Sequence, residues 1–126
     1  MKKEVITSEK AALPVGPYSQ GIKTGAFIFV AGEKGLDPKT DKIVEGGIQA
    51  ETRQTLENIK AILESAGATM DNVVRTVVYL TDINDFAAMN AVYAEYFPKA
   101  PPGRTCVQVV ALPAGAHVEI EATAVL

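Results

Sequence analysis

The sequence predicts an α+β fold in which two helices cover one face of a single mixed β-sheet. The chain has 126 residues, the usual size of one domain, and no linker or internal repeat divides it. Several short segments have the apolar patterns of β-strands, and two longer ones have helical spacing. Their order is strands, helix, strand, helix and two strands, so the helices cannot cover both faces of the sheet. We therefore expect residues 1–126 to form one domain.

The first part of the chain is predicted to contain three strands. A short strand over residues 3–7 precedes a loop rich in proline and glycine. Residues 22–23 and 26–31 are the next two candidates, joined by a turn at Thr24 and Gly25. Because the second of these is apolar on both faces, we expect a buried, central strand that ends near Gly32.

Two helices are predicted from spacing and capping residues. Apolar and small residues recur with helical spacing over residues 48–66, while charged residues occupy the opposite side. Gly67 suits the left-handed position just after a helix. Asp82 or Asn84 can cap a second helix that ends before Pro98. The inward side of this second helix is predicted to carry Phe86, Met89, Val92 or Tyr93, and Tyr96.

The remaining strands are predicted over residues 73–81, 105–111 and 118–125. In the last of these, apolar residues alternate with polar ones, so one face is apolar and the other carries Glu119 and Glu121. Packing between subunits around a closed ring would cover the sheet face that the helices leave bare.

Composition limits the possible function classes. The formal net charge is −3 and basic residues are not clustered, which argues against nucleic-acid binding. The longest apolar run, residues 26–31, is too short to cross a membrane, and no signal-type segment follows Met1, so we expect a cytosolic protein. Cys106 is the single cysteine and His117 the single histidine, so neither a disulfide nor a metal site is expected.

Arg104 is the main candidate for ligand binding. It follows Pro101, Pro102 and Gly103 at the start of a strand, where rigid backbone holds it in place. A planar guanidinium binds a carboxylate through two hydrogen bonds, so a positioned arginine suits an acid derived from an amino acid. A surface arginine or a salt bridge between subunits is the alternative. Covalent catalysis is not expected, because only His117 could activate a serine or cysteine.

Other residues have both a functional and a purely structural interpretation. Glu119 and Glu121 share a strand face about 7 Å apart, which suits activation of water but also describes a solvated strand. Tyr18 ends a rigid turn and either lines a site or packs on the core. Gly32 permits close approach of a ligand to the backbone, or only makes a turn. Cys106 lies in an apolar strand and is expected to be inert except for its backbone amide.

Six segments, in their order and spacing, carry a resemblance that extends over essentially the whole chain. They are Gly16-Pro17-Tyr18-Ser19-Gln20, Asp37-Pro38-Lys39-Thr40, Gln54-Thr55-Leu56-Glu57-Asn58-Ile59, Asn84-Asp85-Phe86 with Asn90, Arg104-Thr105-Cys106-Val107 and Val118-Glu119-Ile120-Glu121-Ala122. Together they resemble the YjgF/YER057c/UK114 family, whose deaminase branch is called RidA. The resemblance implies a chorismate-mutase-like fold and a homotrimer around a closed β core, with clefts between neighbouring subunits.

The resemblance also implies a reaction that needs no cofactor. Its substrates are small 2-imino or enamine acids released by pyridoxal-phosphate dehydratases, and its products are 2-oxo acids and ammonia. Arg104 would bind the substrate carboxylate and Glu119 would orient the water. Tyr18 would line the cleft, while Gly32 and the Cys106 backbone would border the reacting carbon. The implied substrate-binding set also includes Ala31, Glu33 and Asn90.

The chain departs from the family pattern at the site. Ala31-Gly32-Glu33 stands where the deaminases often have Ser-Gly-Gln, and a Glu33 carboxylate directed into the cleft would repel an anionic substrate. Gly103 and Thr105 replace the more usual Ala and Ser beside the arginine. Two alternatives therefore stay open. One is an RNA-directed translation inhibitor or endoribonuclease, and the other is a trimer that binds a small ligand, or acts as a chaperone, without catalysis.

The last two predicted strands also limit how Arg104 and Glu119 can meet. In a direct hairpin, Arg104 would lie opposite a residue near Ala124, about 16 Å along the strand from Glu119. We therefore expect either that another strand separates them or that they come from neighbouring subunits.

Overall fold

The computed structural model describes residues 1–126, and its strands and helices follow the predicted order. Three short 3₁₀ turns complete the secondary structure. In chain order the elements are β1 (Glu4–Ile6), β2 (Gly21–Thr24), β3 (Phe27–Lys34), α1 (Gly47–Ser65), β4 (Val73–Leu80), α2 (Phe86–Tyr96), β5 (Gly103–Gln108) and β6 (Val118–Val125).

The six strands form one mixed sheet in the order β1-β2-β3-β6-β4-β5. Strands β4 and β5 are parallel, and the other neighbours are antiparallel. Both helices pack on the same face, which confirms the predicted fold class. The sheet is open within the chain, because β1 and β5 are its two edges. A single chain therefore does not form the closed β core.

Helix α1 forms where its spacing predicts and supplies much of the core. Leu56, Ile59, Ile62 and Leu63 are at most 1% exposed against the sheet. Burying each of these side chains stabilises the fold by about 1.5–3 kcal/mol. Gly67 has the predicted left-handed conformation, with φ of 82°. Its N–H and that of the next residue bond back to the last turn, which ends the helix.

Helix α2 follows a 3₁₀ turn that Asp82 caps by accepting a hydrogen bond from the Asn84 N–H. Met89 and Tyr93 are buried as predicted. The prediction that Phe86 faces the core is wrong, since this side chain is 40% exposed. It lies in the first turn of the helix, where it covers the guanidinium of Arg104 instead.

Strand β3 differs from its prediction in two ways. It is internal to the sheet, but Phe27 and Phe29 are 44% and 46% exposed, because no helix covers their face. The strand also continues past Gly32 to Lys34 across a β-bulge. Below, the sheet side away from α1 and α2 is called the open face, and the other side the helix-covered face. Neither helix has the length and apolar character needed to cross a membrane.

Candidate active site

Arg104 lies on edge strand β5, and its side chain reaches the helix-covered face. Its Nη1 donates a hydrogen bond of 2.8 Å to Asn90 Oδ1. The guanidinium lies 4.7 Å from the ring centre of Tyr93 and 5.4 Å from that of Phe86. No carboxylate of the chain forms a salt bridge with it. Arg104 is thus a positioned cation with free N–H groups, an arrangement that suits a carboxylate ligand.

The ring of Tyr93 beneath Arg104 is itself anchored. Parallel pairing places Arg104 beside Thr76 of β4, and the hydroxyls of Thr76 and Tyr93 lie 2.6 Å apart. Burial raises the pKa of Tyr93, so its hydroxyl stays neutral at physiological pH. Cys106 lies two residues further along β5 and is half-buried. Burial also raises the pKa of its thiol, which agrees with the prediction of an unreactive cysteine.

Glu119 lies on the open face, near the start of β6. Its direct partner on β3 is Lys34, whose Nζ is 3.7 Å from Glu119 Oε1. The other carboxylate oxygen, Oε2, lies over Gly32, where the Cβ of any larger residue would overlap it. Glycine therefore allows the carboxylate to lie over the backbone here, since a Cβ would displace the end of the Glu119 side chain.

Glu33 follows Gly32 in the bulged part of β3 and is only 6% exposed. Burial raises its pKa to about 8, with a further increase from Glu119 and an opposing effect from Lys34. A carboxyl group with this pKa is mainly uncharged at neutral pH. At neutral pH, Glu33 therefore causes little repulsion of an anionic substrate.

Tyr18 is exposed in the loop before β2. The carbonyl of Gln20 accepts a 2.9 Å hydrogen bond from the N–H of Ala31, which joins this loop to the bulge of β3. The buried side chain of Gln20 holds the loop from within, by hydrogen bonds to the backbone of Ser8 and Ala12. The Tyr18 loop is therefore fixed beside Ala31, the residue that precedes Gly32.

The predicted site residues thus fall into two sets within one chain. The Arg104 group comprises Arg104, Asn90, Cys106, Phe86 and Tyr93. The Glu119 group comprises Glu119, Gly32, Glu33, Lys34 and Ala31, with the Tyr18 loop beside it.

Strand β4 separates the two groups, which confirms the expectation that no simple hairpin joins Arg104 to Glu119. Through Thr76 of β4, Arg104 aligns with Ala122 of β6, three residues from Glu119. The two backbones are therefore about 10 Å apart across the strands and about 10 Å along them. Their side chains also lie on opposite faces of the sheet, so one chain cannot bring both to one small ligand.

Sequence reasoning missed Lys34, because it ended the strand at Gly32. The signal that could have found it is the absence of any turn residue between Gly32 and Gly35. It also missed the partner of His117, whose N–H and ring Nδ1 lie 2.8 Å and 2.5 Å from the carboxylate oxygens of buried Glu51. His117 therefore anchors the start of β6.

No group of three or more His, Cys, Asp and Glu side chains is placed to hold a metal ion.

Known proteins share both the sequence and the fold of this chain. Residues 8–126 match the family described as Endoribonuclease L-PSP. A RutC family protein of Pyrococcus abyssi is 56% identical over 98% of both chains. The 2-iminobutanoate/2-iminopropanoate deaminase of Mus musculus is 45% identical, over 98% of this chain and 91% of its own. The crystal structure of E. coli TdcF with bound serine superposes with a TM-score of 0.94, at 38% identity and 98% coverage of both chains. The chain therefore belongs to the YjgF/RidA family, which is also described as Endoribonuclease L-PSP.

Proposed function

We propose that this protein hydrolyses small 2-imino acids, and the enamines that give rise to them, to 2-oxo acids and ammonia. The observation that carries the proposal is Arg104, a cation fixed by Asn90 and two aromatic rings but left without a carboxylate partner. The deaminase named among the relatives supports the same reaction class. An arginine held in this way suits the carboxylate common to all 2-imino acids.

The chemistry requires placement of water more than a strong nucleophile. In the proposed reaction, water adds to the electrophilic imine carbon, and Glu119 orients the water and accepts one of its protons. The nitrogen takes up the water proton held by Glu119 and the proton of the adduct hydroxyl, the C–N bond of the tetrahedral adduct breaks, and ammonia leaves as the carbonyl forms. Holding the substrate through its carboxylate turns the addition into a reaction between fixed partners. This chemistry needs no cofactor.

We further propose that each active site lies between copies of the chain in a cytoplasmic homotrimer. The Arg104 group of one copy would face the Glu119 group of its neighbour, since the two groups cannot meet within one chain. Apolar residues exposed on the open face, which include Phe27, Phe29 and Val107, favour such an assembly. Cys106 and Gly32 would then border the imine carbon from opposite sides.

The test is a coupled assay in which a threonine or serine dehydratase generates the enamine. Release of the oxo acid is measured with and without this protein. Arg104→Lys keeps the charge but loses the bidentate hydrogen bonding of the guanidinium. Because a hydrogen bond to a charged group contributes about 1.5–3 kcal/mol, turnover should fall about tenfold or more.

Arg53→Lys is the matched control, because Arg53 is a surface residue that pairs with Glu95 on the outer side of the helices. Unchanged turnover in Arg104→Lys would contradict the carboxylate role. If the wild-type protein does not accelerate oxo-acid release but cleaves a mixed RNA substrate, the RNA-directed alternative is the correct one.

A further inference from the structure

Lys34 is a buried cation that the proposed mechanism does not yet use. It is 8% exposed, and lysine is almost never buried without a partner. Its salt-bridge partner is Glu119, which faces it directly across β3 and β6. The Glu119 side chain is itself only 21% exposed, so water screens this pair less than a surface pair.

The contact distinguishes the two oxygens of the Glu119 carboxylate. Oε1 is directed to Lys34, whereas Oε2 lies over the backbone of Gly32. Gly32 is the position where the reacting carbon is proposed to bind. Lys34 therefore occupies the side of the carboxylate away from the substrate and leaves the other oxygen free for water.

Glu33 is the other carboxyl group whose charge interacts with Lys34. Because burial raises the pKa of Glu33 to about 8, this group is mainly uncharged at neutral pH. The positive charge of Lys34 is then balanced by Glu119. Glu119, whose carboxylate lies over Gly32, is thus the carboxyl group that pairs with Lys34.

We infer that Lys34 is a positioning residue that holds Glu119 Oε2 over Gly32. The inference rests on the proposed role of Glu119 in imine hydrolysis. Without Lys34, the Glu119 carboxylate would lose the ion pair that fixes Oε1 and would rotate away from Gly32.

The test compares Lys34→Met with Lys34→Arg, which restores the charge, and with Lys42→Met, which removes an exposed lysine of the segment between β3 and α1. In Lys34→Met, kcat should fall severalfold while KM stays within about twofold, since Arg104 and not Lys34 binds the substrate carboxylate. Lys34→Arg should return kcat towards its wild-type value, and Lys42→Met should leave both kcat and KM unchanged.

A second measurement does not depend on turnover. Crystal structures of Lys34→Met and Lys34→Arg show where the Glu119 carboxylate lies. Its Oε2 should leave Gly32 in Lys34→Met but not in Lys34→Arg, and an unchanged position in Lys34→Met would overturn the inference. If the carboxylate moves but Glu119→Gln retains full deaminase activity, the effect of Lys34 on Glu119 stands and the proposed catalytic role of Glu119 is wrong.

Discussion

At the scale of single residues, Glu33 shows how burial changes the meaning of a substitution. The resemblance predicts an amide side chain at this position, and a carboxylate there would bring a second negative charge near Glu119. The structure instead buries Glu33, and its pKa rises to about 8. A protonated carboxyl group, like an amide, is neutral and offers both a hydrogen-bond donor and an acceptor. Below pH 8, Glu33 therefore resembles glutamine in charge and hydrogen-bonding capacity.

This burial predicts a specific pH dependence of stability. The pKa of Glu33 rises from its ordinary 4.5 to about 8 on folding, so the folded state binds a proton that the unfolded state has released. The stability from this proton is fully present below pH 4.5 and is lost as the pH rises to about 8. At about 1.4 kcal/mol per pH unit, the loss is on the order of 5 kcal/mol.

Urea unfolding between pH 4.5 and 8.5 measures this effect. Glu33→Gln should remove the decline that wild type shows, so the two curves should diverge as the pH rises from 4.5 towards 8.5. Exposed Glu45 supplies the control variant, Glu45→Gln, which should follow the wild-type curve. Parallel curves for wild type and Glu33→Gln would mean that Glu33 is already ionised at neutral pH.

At the scale of elements, helix α2 and strand β5 act together on Arg104. Phe86, Asn90 and Tyr93 are spaced by four and three residues, so they form one stripe along the helix. This stripe lies against the guanidinium of Arg104 on β5. The helix thus provides an amide oxygen and two aromatic faces, which fix the cation without neutralising it.

Two substitutions of Tyr93 separate its structural role from its support of Arg104. Both Tyr93→Phe and Tyr93→Leu leave the buried hydroxyl of Thr76 without its partner, at a cost of about 1–3 kcal/mol in the free energy of unfolding. Only Tyr93→Phe keeps an aromatic face beneath the guanidinium, a contact of about 0.5–2 kcal/mol. Deaminase turnover should therefore stay within about twofold in Tyr93→Phe but fall severalfold in Tyr93→Leu. Equal turnover in the two variants would mean that the ring contributes nothing to the position of Arg104.

At the scale of the whole molecule, the open face is the feature that needs explanation. Phe27 and Phe29 stack on each other there with ring centres 6.0 Å apart, and each is nearly half exposed. In the same face, the hydroxyl of Tyr79 donates a 2.6 Å hydrogen bond to Glu121. Apolar side chains mixed with ordered polar groups are typical of surfaces that pack against another subunit. The trimer remains a prediction, which light scattering at micromolar concentration tests directly.

Assembly and catalysis can be tested together by complementation. Arg104→Ala and Glu119→Ala each remove one half of the proposed site, so each pure trimer should be inactive. After subunit exchange, some mixed clefts contain the intact Arg104 group of one variant and the intact Glu119 group of the other. Activity should therefore reappear, to a fraction of wild type. If mass spectrometry shows that the subunits have exchanged and activity still does not recover, a site shared between subunits is contradicted.

Patterns among near neighbours in the chain made several features predictable from sequence. Helical spacing and Gly67 define α1 and its end, and polar alternation identifies β6. The rigid segment before Arg104 predicted a positioned cation, and in the structure Asn90 and Tyr93 of α2 contact its guanidinium. For the helix and the strand, the physical cause lies within a few residues of the chain, whereas the contacts of Arg104 come from a separate helix.

The sequence by itself therefore determined the elements, the fold class and the identity of the main charged residues. Only the tertiary structure decided that β6 inserts between β3 and β4, because strand order depends on pairing between residues far apart in the chain. That order places Arg104 and Glu119 on opposite faces of the sheet. The neutral form of Glu33 and the pairing of Lys34 with Glu119 were likewise decided by the tertiary structure, since desolvation and charge contacts depend on everything that packs around a group.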